Sequence, residues 1–432
     1  MIGGGFMFFK KGWTDKNIIA NIANQSVSLG QLIWQGAGFD KEKTYLLLFQ
    51  NNLEIRPSGG YIGNFGILKV KNGQKTFFES YDTTVFDWNN KNQTEPPLPI
   101  KKYLKVSNWQ MRDSNWSADF PTSAKQAEYF YHLQGGIEQF DGIIAINADF
   151  LPALLKWTGP IYLKKYNKTF DSKNVLYGLE YEVEKGYVEK NIDISQRKAA
   201  FKELLGLALD KISKNNIWQL NSLKDLVLSQ LDQKNIILNF DDENLQNQIS
   251  KLKWDGQISK DYPDDYLMLI EANLGGRKSN YFMERSIEYF VDLDKEKPQA
   301  KLLITFKHNG KQNDWFNYNY LCYLQVYAPD SSWLEQASIA GMSVKDQTVF
   351  SFDFGKKVFG QWIETATAKE QTIEFVYDLP EKFKNLSEYK ILIQKQSGID
   401  QILIKIHIIK DSRDYFKETI ITKDWQGAIK FQ

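Results

Sequence analysis

Cysteine is almost missing from this chain: Cys322 stands alone among 432 residues, which excludes an internal disulfide and any cysteine-rich zinc or iron–sulfur site. Histidine is nearly as scarce. His132, His308 and His407 are far apart and show no HExxH spacing, which argues against a histidine-based zinc site. Net charge is missing too. With 54 Lys and Arg against 53 Asp and Glu, no overall field draws the chain to a polyanion, so nucleic acid is not an expected partner. Long apolar runs are equally absent. The opening MIGGGFMFFKKGW offers nine residues before Lys10 and Lys11, well short of the roughly 20 that span a bilayer. It reads either as the end of an anchor or signal segment or as a hydrophobic arm. There is no GxSxG elbow, Walker A lysine loop or complete dinucleotide fingerprint.

What is present is material for burial: 42% of the residues are apolar and 14% aromatic. The length exceeds a single ordinary core, so two or three domains are expected. Residues 17 to 36 have near-helical apolar spacing, closed at Gly36 to Gly38. TYLLLFQ (44 to 50) is continuously apolar, as in a strand buried on both faces. A hairpin through the Asn72-Gly73 turn follows, with a strand near 76 to 81. The proline-rich stretch 88 to 104 reads as a surface loop, and 122 to 134 as a helix. DGIIAIN, the short helix ADFLPALLKWTG and PIYL form a strand–helix–strand rhythm for which parallel pairing is expected. Helices follow from Asp193, over 217 to 232 and over 241 to 253. Beyond about residue 264 the chain turns to short runs rich in Val, Ile, Phe, Tyr and Thr, such as KLLITFKH and QILIKIHII, at the spacing of a sandwich. The expected organisation is an arm and helix over 1–40, an α/β domain over 41–275 that takes in the strand 265 to 272, and an all-β sandwich-like domain over 276–432.

Three polar segments could carry chemistry. EIRPSGGYIGN (54 to 64) should be a loop leaving the C-terminal end of a buried strand, where open α/β sheets bind ligands. Gly59, Gly60 and Gly63 would let backbone N–H groups approach, Ser58 and Asn64 add polar side chains, and Arg56 offers a fork of donors for phosphate or carboxylate. The alternative is a tight turn with Arg56 paired to Glu54 or another acid. In WQMRDSNWSADFP (109 to 121), Arg112 could clamp an anion and Asp113 hold a metal or a nucleophile's proton, or the two could form a structural ion pair. Arg197 opens a helix, where the macrodipole favours anions. EANLGGRKSNY (271 to 281) repeats the theme with Asn273 and Lys278, against the simpler reading of a hairpin turn.

The phrases YLLLFQNNLEIRPSGGYIG, MRDSNWSADFPTSA, FDGIIAINADFLPALLKWTGPI, EANLGGRKSNYF and YKILIQKQSG resemble, in order and spacing, the bacterial domain of unknown function family 4012. That resemblance implies an extracytoplasmic protein tethered by an N-terminal helix. The N-terminal domain also resembles the LytR-CpsA-Psr enzymes, which transfer glycopolymers from polyprenyl-pyrophosphate carriers to peptidoglycan, and so implies a mixed sheet flanked by helices. In that resemblance Arg112 and Asp113 match an Arg-Asp pair of catalytic residues, and Arg197 an arginine opening a late helix. Arg56, Arg112 and Arg197 would then converge on one pyrophosphate, whose transfer needs clamped charge rather than an elaborate covalent apparatus. Two departures bear on magnesium: Asn64 stands where those enzymes place a magnesium-binding aspartate, and Ile194 where a further arginine would precede Arg197. Losing a carboxylate weakens a hard-cation site. The expectation is a membrane-associated cell-envelope protein that binds, and on one reading transfers, a polyprenyl-(pyro)phosphate-linked glycan. The competing expectation is a noncatalytic surface module.

Overall fold

The structure, a computed structural model, describes residues 8–9, 13–16, 29–88, 93–213 and 217–431. The chain divides into two compact units, Ser26–Gln257 and Met1–Gln25 together with Ile258–Gln432. The first is α/β and the second almost wholly β.

The α/β unit is built on a five-stranded sheet in the order Gln74–Asp82, Gly59–Lys71, Lys43–Arg56, Gly142–Asn147, Ile236–Phe240. Only Lys43–Arg56 and Gly142–Asn147 run parallel; the other neighbours are antiparallel. The apolar run 44 to 50 occupies the centre, buried on both faces. On one face Leu46, Leu48, Phe65, Ile67 and Ile143 meet Phe120, Ala124, Ala127 and Phe130 of the helix Phe120–Leu133. Each such side chain contributes about 1.5–3 kcal/mol by leaving water. That helix is set by its first turn, where Asp119 accepts from Thr122 N and Pro121 follows the cap. A separate core, including Leu154, Leu155, Phe170, Leu179 and Leu204, joins the helices Phe150–Thr158, Val175–Tyr181 and Ala199–Ser213.

Several local expectations are corrected. The strand Ile161–Leu163 does not pair in parallel with 142–147 but forms a small antiparallel hairpin with Lys168–Phe170, because only four residues lie between the helix end at Gly159 and the Lys164–Tyr166 turn. The proline-rich stretch contains a helical turn at Ile100–Leu104, anchored by the fully buried Ile100. Of the helix expected over 17 to 36, Leu29–Gly36 is helical and 17–28 lie outside the described residues.

The β unit holds an eight-stranded and a seven-stranded sheet. The strand Asp265–Asn273 belongs here rather than to the α/β unit: it pairs with Tyr320–Pro329 and Glu388–Gln394, which moves the division from 275/276 to 257/258. The arm is likewise shared out, since Trp13–Lys16 pairs with Trp425–Lys430 and Phe8–Phe9 with Arg413–Ile421. Inside the unit Asp265 is buried among tyrosines. Its Oδ2 accepts from Tyr289 (3.0 Å) and Tyr389, its Oδ1 from Tyr266 N (2.8 Å), and Tyr377 donates to Tyr289. Among the described residues no helix is long and apolar enough to cross a membrane.

Candidate functional site

The segment expected as a Gly-rich ligand loop is a hairpin. Arg56 pairs in the ladder with Gly59, leaving Pro57 and Ser58 as a two-residue turn. The turn is tight because extra residues are absorbed just before it: the register jumps between Asn51/Tyr61 and Ile55/Gly60, so Asn52, Leu53 and Glu54 bulge out of the strand. The glycines serve packing. A Cβ on Gly60 would lie 2.1 Å from the Asn51 carbonyl carbon, and one on Gly59, at φ +144°, 1.7 Å from Gln50 Oε1. Ser58 is buried, with its N–H and hydroxyl both directed at Asn115 O at 3.4 Å; Asn115 Nδ2 returns a bond to Gly60 O at 2.7 Å.

The bulge aims Glu54 at Arg56. The Arg56 guanidinium, 1% exposed, donates from Nη2 to Glu54 (2.9 Å) and from Nε to Asp113 (2.8 Å), and lies over the Tyr61 ring at 5.5 Å. Burial by itself would favour losing its proton; the two carboxylates reverse that and hold its pKa above the ordinary arginine value. Arg112 and Asp113 are neighbours in sequence but do not pair with each other. The one-turn helix Met111–Asp113 points Asp113 at Arg56 and Arg112 at Asp87, whose Oδ2 accepts from Arg112 Nε at 2.8 Å. Asp87 also accepts from Gln134 (2.9 Å), yet burial keeps its carboxyl above the usual range despite Arg112. Arg112 is 23% exposed, and among the described residues its two Nη groups have no hydrogen-bond partner.

Tyr61, half-buried on the hairpin's second strand, is the hub. Burial raises its hydroxyl pKa, Arg112 opposes this, and Asp113 and Glu54 add to it. On its other side a Cβ at Gly63 would lie 3.9 Å from the Tyr61 ring and 3.7 Å from Lys198 Nζ. The cation that reaches this hairpin from the late helix is thus Lys198. Its Nζ donates to Asp82 Oδ1 (2.8 Å) and to Gly63 O. Arg197 closes the preceding turn Ile194–Gln196 and faces Glu184 at 3.7 Å. Asn64 lies in the ladder opposite Phe49 and Asp82.

Of the residues singled out in sequence, Arg56, Ser58, Gly59, Gly60, Asn64, Arg112 and Asp113 therefore gather around one hairpin. Asn273 and Lys278 fall in the β unit. There Asn273, fully buried, donates to Arg277 O and Asn280 and accepts from Gly275 N, while Lys278 N–H bonds Phe316 O. These bonds fold the turn onto itself and tie it to the segment around Phe316. Sequence reasoning missed Tyr61, Asp82, Asp87 and Lys198. Only Lys198 left a signal, as the residue next to Arg197 at the start of the helix.

Residues 40–183 match the family model described as a protein of unknown function (DUF4012). No curated protein matches the chain. Among solved structures, protein gbs0355 from Streptococcus agalactiae is 13% identical with a TM-score of 0.32, over 52% of this chain and 75% of that one. Protein Lin1025 from Listeria innocua is 11% identical at 0.22, over 49% and 78%. Aminopeptidase A from Legionella pneumophila, solved with aspartic acid, is 12% identical at 0.23, over 35% of this chain and only 22% of its own length. At such scores neither fold nor activity carries over.

Proposed function

We propose that the protein is a membrane-associated cell-envelope component whose α/β unit binds a polyprenyl-(pyro)phosphate-linked glycan without transferring it. On this reading the α/β unit is a LytR-CpsA-Psr-like fold and the β unit, whose two sheets share the Asp265 tyrosine cluster, is a sandwich. The observation that carries the binding reading is the division between two arginines. Arg56 and Asp113 are committed to each other in the interior, whereas the partly exposed Arg112 bonds Asp87 through Nε and, among the described residues, leaves both Nη groups without a hydrogen-bond partner. A planar fork of donors on a one-turn helix suits a phosphoryl group. Transfer loses support because Asp113, the residue that would move a proton, already balances a buried guanidinium.

The test is titration calorimetry with polyprenyl pyrophosphate and with inorganic pyrophosphate. The full-length protein should bind, and Arg112→Ala should weaken binding by about 10-fold or more, as expected for losing a charge-assisted pair. Absence of binding by the unmutated protein would remove the ligand. A second reading, a noncatalytic structural module, is favoured by one observation: Arg56, Arg112, Arg197 and Lys198 each already face a carboxylate.

A further inference from the structure

The resemblance to glycopolymer transferases brings with it a magnesium ion, and the residues present do not fit one. Among the described residues no three His, Cys, Asp or Glu side chains come together. Where oxygen donors do converge beside Tyr61, an ammonium already lies among them. Lys198 Nζ bonds Asp82 Oδ1 at 2.8 Å and the Gly63 carbonyl, and the two side chains are only 10% and 7% exposed. Asn64 stands opposite Asp82 in the ladder. A carboxylate, a backbone carbonyl and a neighbouring amide are the donors that hard divalent cations take.

Two further observations single out this arrangement. Lys198 sits at the N-terminal end of the helix Ala199–Ser213, its carbonyl accepting from Phe201 N, and a helix N-terminus disfavours a cation. Its place is therefore set by Asp82 and Gly63 and not by the helix. Asp82 is also incompletely used. Its Oδ1 accepts from both Lys198 and Thr84 N (2.8 Å), while Oδ2 is buried with no hydrogen-bond partner. A buried carboxylate oxygen without a donor is costly. It marks a seat with more oxygen valence than one ammonium fills.

We propose that Lys198 is the fixed cation of this site, its ammonium occupying the seat of a divalent ion, so that the α/β unit works without metal and gains a metal site only when Lys198 is removed. The idea deepens the phosphoryl-binding reading, since it adds Lys198 to Arg112 as a cation near Tyr61, whose ring the buried Arg56 already covers. The seat itself can be tested without any anion.

The experiment is thermal unfolding of the full-length protein in EDTA and in millimolar Mg2+ or Ca2+. The unmutated protein should unfold at the same temperature in both. Lys198→Ala should unfold earlier in EDTA and recover by roughly 2–5 °C with the cation, as mass action predicts for a weak site on the folded state. Adding Asp82→Asn to Lys198→Ala should abolish the recovery. If Lys198→Ala does not fold in EDTA, Lys198→Met, which keeps the aliphatic stem, is read the same way. Stabilisation of the unmutated protein by the cation, or a variant no more responsive than the parent, would overturn the proposal. Pyrophosphate titration of the same samples reports separately on the ligand: a protein that binds no pyrophosphate yet shows this cation response loses the phosphoryl reading and keeps the seat.

Discussion

Arg56 Nε donates to Asp113 Oδ1 across 2.8 Å in a position where the arginine is 1% exposed, joining the turn of a hairpin to a one-turn helix 57 residues later in the chain. Glu54 supplies a second carboxylate from the bulge in the same strand. The triad closes one end of the sheet and fixes where Arg112 and Tyr61 face. It is a positioning device for the surface groups, and its own charges are not available to a ligand.

Removing the guanidinium should therefore act on stability. Arg56→Met leaves two buried carboxylates unpaired and is expected to cost about 3–5 kcal/mol in denaturant unfolding. Combining it with Glu54→Gln and Asp113→Asn should recover most of that loss, because no uncompensated charge then remains. A triple variant as unstable as the single one would contradict this.

The glycines of the turn are held by packing. Gly60→Ala places a Cβ against the Asn51–Asn52 backbone, which cannot yield as a side chain could, so the hairpin must shift. The expected loss is on the order of 3 kcal/mol, while Gly276→Ala in the β unit, which meets nothing but has φ +66°, should cost about 1 kcal/mol. Circular dichroism melts of the two variants check the order.

How much of this was legible in sequence follows from what each signal reports. The buried strand at 44 to 50, the hairpin after it and the helices at 122 to 134 and 217 to 232 were readable because apolar periodicity reflects burial directly. The boundary was misplaced because the strand 265–273 carries the same pattern whichever sheet it joins, and pairing with Tyr320–Pro329 is a long-range fact. At the site, Arg56 and Asp113 are legible as residue types, and pairing of Arg56 with Glu54 is one of the two readings the segment 54 to 64 allows. That Asp113 would turn inward and Arg112 outward depends on a three-residue helical turn. Lys198 rather than Arg197 reaching the hairpin is a matter of one position at a helix start, finer than a helical pattern resolves.

The β unit should respond to pH through Asp265. Burial pushes its carboxyl from the ordinary 3.8 up to about 6, opposed by bonds from Tyr389, Tyr289 and Tyr266 N and reinforced by Asp264. The folded state thus keeps a proton that the unfolded chain has released. The contribution to stability is complete below about pH 4, falls as pH rises, and is lost by about pH 7, a change of ~3 kcal/mol. Asp265→Asn should remove this pH dependence. Urea unfolding of both forms between those limits measures it, and parallel pH curves for the two would show that Asp265 is not the titrating group.

The most direct test of binding without transfer is to incubate the full-length protein with a polyprenyl-pyrophosphate-linked oligosaccharide and peptidoglycan, and to follow polyprenyl phosphate release by mass spectrometry. The account predicts that the carrier is retained intact, with retention reduced by Arg112→Ala. Release of polyprenyl phosphate that disappears in Asp113→Asn, with the variant still folded, would contradict it.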